Sequence, residues 1–236
     1  GARRIGAGIA EQLHQSGYQL ILHYHHSQAE AEQLAGSLNQ RRADSVSLVC
    51  ADLSDETGMS QLANAVLQQT DQLQLLVNNA STFEPAGLNN ITSLHWQQTI
   101  NTNLLAPLQL TRLLAPALTH AGGSVVNIID IHADRPLKAY PVYSISKAGL
   151  AMLTRSLALE LAPAVRVNGV SPGAILWPEQ TAEMSHKEKA DMLAGIPMGT
   201  LGSPTSIAEA VVWLAQASYI TGQIISVDGG RSLIQR

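Results

Sequence analysis

Tyr143 and Lys147 stand four residues apart in the segment Tyr143-Ser144-Ile145-Ser146-Lys147. On a helix that spacing puts both side chains on one face, where an ammonium stabilises phenolate character and a tyrosine can serve as a general acid. Taken alone, the pair could equally be a surface pair on an amphipathic helix. Its surroundings favour chemistry: it follows an apolar run ending at Asp130, lies downstream of Asn78-Asn79-Ala80 and precedes Asn168-Gly169-Val170-Ser171-Pro172-Gly173.

A second group lies at the front, in Gly1-Ala2-Arg3-Arg4-Ile5-Gly6 with Gly8. Small residues in a strand-to-helix turn let the backbone approach a pyrophosphate, and the following helix offers unpaired N–H groups at its positive end. The same glycines would also suit close packing of a helix. The end of the first apolar run reads His23-Tyr24-His25-His26-Ser27, and the first acid after it is Glu30. A carboxylate placed there would bind ribose hydroxyls and repel a 2′-phosphate, whereas Arg3 or Arg4, His26 and Ser27 could hydrogen-bond one. NADP(H) is therefore the expected cofactor. His23 and His25 alternate onto one strand face, but no cysteine or nearby acid completes a ligand set, so no metal is expected.

The elements that must position these groups follow from hydrophobic pattern. Apolar runs bounded by turn residues occur at Tyr18–His25, Ser45–Leu53, Gln74–Ala80, Ser124–Asp130, Arg166–Pro172 and Gln223–Asp228, and each predicts a strand. Between them, helical spacing joins Leu34 to Leu38, Leu62 to Val66, Leu110 to Leu113 and Leu114, and Leu150 to Leu153 and Leu157. Near-continuous apolar strands alternating with helices predict an α/β fold, a Rossmann-type doubly wound parallel sheet with helices on both faces. A first helix is expected from near Arg4 to near Gly17, with no strand ahead of its turn, so the first strand is expected to be absent from this sequence. With 236 residues and no linker, repeat or low-complexity tract, residues 1–236 should form one dinucleotide-binding and catalytic domain.

Composition narrows the partners. A content of 45% hydrophobic and 14% charged residues suits a buried core. A net charge of -4 gives no basic field for nucleic acid or an anionic membrane, so any anion site must be local. No apolar stretch approaches a membrane span, and no basic-then-apolar leader pattern is visible. Cys50 closes the run Val46-Ser47-Leu48-Val49-Cys50 and is expected to be buried in a strand, in a cytoplasmic protein.

Over essentially its whole length the sequence resembles the short-chain dehydrogenase/reductase family. The resemblance implies that Gly1, Arg4, Ile5, Gly6, His23, His26, Ser27, Asp52, Leu53, Asn79, Ala80, Ser81, Pro172 and Gly173 line the cofactor, with Asn78 beside them. It also implies that Asn103 sits in the helix supporting a proton relay and that Tyr143 and Lys147 stand at the reacting centre. Most members carry a serine where this chain has Asp130, a glycine where it has Arg4, and Asn-Asn-Ala-Gly where it has Asn78-Asn79-Ala80-Ser81. These departures, with His23-Tyr24-His25, Phe83 and Val227-Asp228-Gly229-Gly230-Arg231-Ser232-Leu233, resemble the pteridine reductase branch.

That branch implies an Asp–Tyr–Lys set and a pterin stacked against an aromatic ring, with Phe83 and Asp130 in those positions. Asp130 could instead be an N-cap or turn residue after its strand. Arg4, Ser81, Phe83, Asp130, Tyr143, Leu176 and Trp177 are the expected substrate contacts, the last two on a flap, and the segment from Glu179 to Gly195 is expected to hold a solvated helix. His26 stands where pteridine reductases often carry an arginine. The expected substrate is a pterin or folate, and the resemblance implies a homotetramer. Two other readings are a carbonyl reductase acting on a 3-oxoacyl thioester or small ketone, which Asp130 and Phe83 disfavour, and a dinucleotide sensor without turnover, which would have little use for Tyr143 and Lys147.

Overall fold

The computed structural model describes residues 2–177 and 185–234. All six expected strands form: β1 (Leu20–Tyr24), β2 (Val46–Cys50), β3 (Leu75–Asn78), β4 (Ser124–Ile128), β5 (Arg166–Pro172) and β6 (Ile224–Val227). Every pairing is parallel, with β1 on β2 in one sheet and β3-β4-β5-β6 in order in a second. Between β1 and β3 runs a cleft of about 350 Å³, walled by Leu20–His23 on one side and Leu75–Ala80 on the other.

Helices cover both faces because successive strand residues point to opposite sides. Val126, Ile128 and Val170 pack towards α1 (Arg4–Gln15), α2 (Gln28–Arg41) and α8 (Pro204–Gln216). Val125 and Val167 point the other way, onto α3 (Glu56–Leu67), α5 (Ala106–Ala121) and the later turns of α6 (Pro141–Leu161). The expected end of α1 is also present: its C-cap is Ser16, and Gly17 follows with φ +92°. Gly8 serves packing, since a Cβ there would lie 2.6 Å from Pro204 Cβ on α8.

Two further helices complete the described chain, α4 (Ser93–Ile100) and α7 (His186–Ala194). The latter lies within the polar segment expected to be helical, and Ser185 and Glu188 form a reciprocal capping box at its start. Residues 178–184 lie outside the described set. No described helix is long and apolar enough to cross a membrane.

Parallel pairing collects the C-terminal ends of β3, β4, β5 and β6 at one edge, where open α/β sheets bind ligands. Asn79, Asp130, Gly173 and Asp228 follow those strands within two residues.

Candidate active site

Helix α6 begins at Pro141, whose fixed φ suits a first helical position. One turn in, Tyr143 is buried, and Lys147 follows a turn later at 2% exposure. Lys147 Nζ donates to Ile128 O at the end of β4 (3.0 Å) and stands 5.6 Å from the Tyr143 ring centroid. Burial lowers the Lys147 pKa to about 8, against the opposing pull of Asp130. The Tyr143 hydroxyl donates to Asp130 Oδ2 at 2.7 Å. Burial first, and then the Asp130 charge and hydrogen bond, raise the tyrosine far above its ordinary pKa and keep it protonated.

Asp130 caps a turn, as the sequence allowed, and also meets Tyr143. Its Oδ1 accepts from His132 N (2.8 Å) and caps the 3₁₀ turn Ile131–Ala133, while Oδ2 faces Tyr143. The carboxylate is therefore aimed by the backbone before any ligand arrives.

Two buried polar chains hold this constellation. Asn103, fully buried in a π-helical turn between α4 and α5, accepts from Thr82 N (2.8 Å) and donates to Thr82 O and to Ser146 Oγ. Ser146 Oγ in turn donates to Tyr143 O, so the segment that carries Phe83 is tied to the turn that carries Tyr143. Asn78 donates to Asn127 Oδ1, and Asn127 donates to Thr154 Oγ1, which links β3, β4 and α6. Buried and satisfied networks of this kind fix one geometry, because breaking a member strands a polar group without solvent.

Phe83 is half exposed, with 53% of its surface accessible. Its ring stacks on Tyr140 at 4.4 Å and 12° and meets Tyr143 edge-on at 4.8 Å. A backbone bond from Ala86 N to Ala139 O (2.8 Å), with Ala139 at φ +67°, brings the two loops together.

The expected cofactor residues lie around the strand ends. Arg4 opens α1 at φ +50° and its guanidinium reaches Trp177 O at 3.4 Å, joining the turn to the segment after Gly173. Ile5 and Leu176 are half-buried against the core, Gly6 is buried beneath the turn, and Gly1 lies outside the described residues. A Cβ on Gly173 would stand 2.6 Å from Asp228 Cβ, so the chain after Pro172 runs directly over the end of β6. His23 Nε2 is engaged by Ala51 O (2.8 Å), while the exposed His25 and His26 rings lie 3.6 Å apart and Ser27 begins the approach to α2.

Asp52 accepts from Ser54 N (2.8 Å), a bond that holds its carboxyl below the usual range, and stands 3.7 Å from His25. Leu53 packs its side chain into the core, so any ligand contact there falls to its backbone. Asn79 and Ala80 are half-buried beside the cleft, and Ser81 is exposed. Among the described residues no group of three potential ligands could hold a metal. The burial expected of Cys50 is wrong: the thiol is exposed, because the residue ends β2 where the side chain leaves the sheet.

Tyr140, Ser146, Asn127 and Thr154 escaped the sequence reading. A polar Asn127 inside the run Val125-Val126-Asn127-Ile128 was a visible signal, since an unpaired amide would be costly in a fully buried strand. Tyr140 gave none, because its stack depends on a loop–loop contact.

The site has the make-up of an oxidoreductase, and known proteins agree. A family model described as Enoyl-(Acyl carrier protein) reductase matches residues 1–232. Pteridine reductase 1 of Leishmania tarentolae is 35% identical over 98% of this chain and 94% of its own length. The uncharacterized oxidoreductase YmfI of Bacillus subtilis (strain 168) is 33% identical over 96% and 93%, and glucose 1-dehydrogenase 2 of the same organism is 31% identical over 98% and 92%. With a family model spanning nearly every residue and relatives above 30% identity along the chain, the protein belongs to the short-chain dehydrogenase/reductase family of oxidoreductases.

Proposed function

We propose that the protein is an NADPH-dependent pteridine reductase that takes a dihydropterin or dihydrofolate to its tetrahydro form, with Tyr143 as proton donor. The carrying observation is the 2.7 Å bond from Tyr143 to Asp130 Oδ2. A ligand that only accepts, such as a ketone, would take the tyrosine proton and leave that carboxylate oxygen unpartnered, at a cost of about 1–3 kcal/mol. An aminopyrimidine edge brings N–H donors beside a ring-nitrogen acceptor, so both residues regain a partner. The half-exposed Phe83 ring offers an aromatic face to a flat heterocycle. The similarity to a pteridine reductase along the whole chain adds to this reading.

The cofactor fits the residues present. Helix α1 has neither a side-chain cap nor an acid in its first turn, as a phosphate-binding terminus requires. Beyond β1 no carboxylate occurs before Glu30, which pairs with Arg3 at 3.7 Å, and His26, Ser27 and Arg4 carry donor groups of the kind that bind a 2′-phosphate. Gly1, Ile5, Gly6, His23, Asp52, Leu53, Asn79, Ala80, Ser81, Pro172 and Gly173 would line the remainder. A bound NADPH would supply the hydride; Tyr143 would give its proton to a ring nitrogen, Lys147 would hold positive charge beneath the phenol, and Asp130 would orient both tyrosine and substrate. Ser81, Arg4, Leu176 and Trp177 would border the pterin, and Asn103 holds the Phe83 segment in register.

We also propose a homo-oligomer, a tetramer by resemblance, assembled through α5 and α6. Ile145, Met152 and Leu159 recur every seven residues on α6 and are 50%, 62% and 83% exposed. An apolar groove lined by Leu104, Leu105, Leu108 and Met152 continues that face. Met152→Asp should convert the oligomer to smaller species in size-exclusion chromatography with light scattering. A free, exposed Cys50 thiol suits a reducing compartment such as the cytoplasm.

Initial rates of NADPH and NADH oxidation against dihydrobiopterin, dihydrofolate and an acetoacetyl thioester test the assignment. Pterin or folate turnover with NADPH preferred is expected. Robust reduction of the thioester with no pterin turnover would overturn it. Tyr143→Phe should lower kcat by about 10²–10⁴ while NADPH binding persists.

A further inference from the structure

Arg135 lies five residues beyond Asp130, outside every group considered so far. Its guanidinium fans out to three carbonyls of the C-terminal turn: Arg231 O at 3.0 Å, Ser232 O at 2.9 Å, and Ile234 O. The 3₁₀ turn Arg231–Leu233 leaves its last carbonyls without helical donors, and a planar fork of N–H groups is the side chain best shaped to satisfy several at once. The same turn is fixed from its other end, where the Asp228 carboxylate accepts from Gly230 N and Ser232 N (2.9 and 2.7 Å). Asp228 in turn lies against Gly173, and Gly229 O accepts from Met198 N at 3.1 Å.

The arginine's own backbone closes the loop that follows Asp130. Arg135 N donates to Ile131 O (3.1 Å), and Arg135 O is engaged by His132 Nδ1 (2.8 Å). The backbone N–H of that histidine donates to Asp130 Oδ1, which leaves Oδ2 directed at Tyr143. A continuous set of short contacts therefore runs from the C-terminal turn through Arg135 and His132 to the carboxylate that holds the tyrosine proton.

We propose that Arg135 is a positioning residue for the reaction: by capping the C-terminal turn it holds residues 130–135 in the one arrangement that aims Asp130 at Tyr143. The inference rests on the reading of Asp130 and Tyr143 as the reacting pair. It makes the C-terminal turn part of the catalytic support, joining the loop behind Asp130 to the chain that follows Gly173.

Arg135→Met removes the donors while keeping an unbranched apolar stem, Arg135→Lys keeps charge but can serve fewer carbonyls, and a chain ending at Gly230 removes the acceptors. Hydrogen exchange at the His132 amide reads the loop independently of any substrate. In Arg135→Met we expect that exchange to rise about tenfold or more, and kcat with a dihydropterin to fall about tenfold, with the NADPH Kd unchanged within about twofold. Arg135→Lys should recover part of both effects. The shortened chain should reproduce them, and combining it with Arg135→Met should add little, since both break the same three hydrogen bonds. Faster exchange confined to residues 231–234, with His132 and kcat unchanged, would overturn the proposal and reduce Arg135 to an anchor for the tail. Absence of dihydropterin turnover in the unaltered protein would instead refute the pterin reading, while the His132 exchange would still decide the role of Arg135.

Discussion

Phe83 and Tyr140 stack face to face with centroids 4.4 Å apart, which leaves no room for a third ring between them. A planar ligand must therefore use surface of Phe83 that Tyr140 leaves open, and 53% of the residue is accessible. A ring so exposed contributes little to the core. Phe83→Ala should leave the melting temperature within about 2 °C while raising the pterin KM about tenfold, the stacking itself being worth roughly 0.5–1.5 kcal/mol beyond area. A core phenylalanine would behave differently, losing about 3–5 kcal/mol of stability on truncation. Tyr140→Ala should also raise KM, and the double variant should lose less than the sum.

Asp130 acts on the two groups it faces in the same direction, raising the pKa of both Tyr143 and Lys147. If the Lys147 ammonium is the competent form, turnover is full below about pH 8, the value to which burial brings it, and declines above. Asp130→Asn removes the charge that opposes that depression, so the alkaline limb should move to lower pH. The phenol of Tyr143 should ionise more readily in the same variant, although burial, the larger cause, keeps it raised. A kcat–pH profile and an ultraviolet phenolate titration measure the two. A limb that stays in place would detach Lys147 from Asp130.

What the sequence made legible is divided along physical lines. The six strands were readable as apolar runs bounded by turn residues, β4 and β5 most clearly because these two are buried almost throughout. Tyr143 and Lys147 were readable because helical spacing fixes which side chains share a face. Asp130 was readable as a residue at a strand end, but its division of labour between His132 N and Tyr143 depends on an extended backbone at φ -177° that no spacing encodes. Tyr140 and Arg135 were hidden for a different reason. Their partners lie 57 and 96–99 residues away in sequence, across loop contacts set by tertiary packing. Cys50 was misread because an apolar run was taken as buried up to its last residue, whereas the strand ends there and the side chain emerges.

Arg4 sits at φ +50°, a left-handed conformation that costs a side-chain-bearing residue about 1–2 kcal/mol and that glycine adopts freely. That strain persists where the guanidinium reaches Trp177 O. Arg4→Gly should therefore raise the melting temperature by a few degrees while weakening pterin binding, whereas Arg4→Ala should weaken binding with no gain in stability. Thermal melts and pterin KM on both variants separate backbone relief from loss of the side chain. Equal stability in the two variants would show that the backbone relaxes once the arginine is gone.

His14 supplies a pH dependence that has nothing to do with turnover. It is buried in the last turn of α1, with Nε2 2.8 Å from Ser45 Oγ, and Ser45 Oγ itself donates to Arg42 O. The hydroxyl proton being committed, the imidazole is the donor, a role that the neutral Nε2–H tautomer fills without a charge. Burial, followed by the nearby Arg42 and Arg41, lowers the pKa of His14 below its ordinary value. The unfolded chain takes up a proton near pH ~6.5 while the folded chain resists it. Stability from this site is therefore complete above about pH 6.5 and is lost as the pH falls towards the lowered folded value. His14→Gln keeps an N–H donor for Ser45 and cannot titrate. Its melting temperature should fall less steeply than that of the unaltered protein between about pH 7.5 and 5.5, a window above the ordinary carboxylate range. Identical slopes would show that His14 carries its proton as readily folded as unfolded.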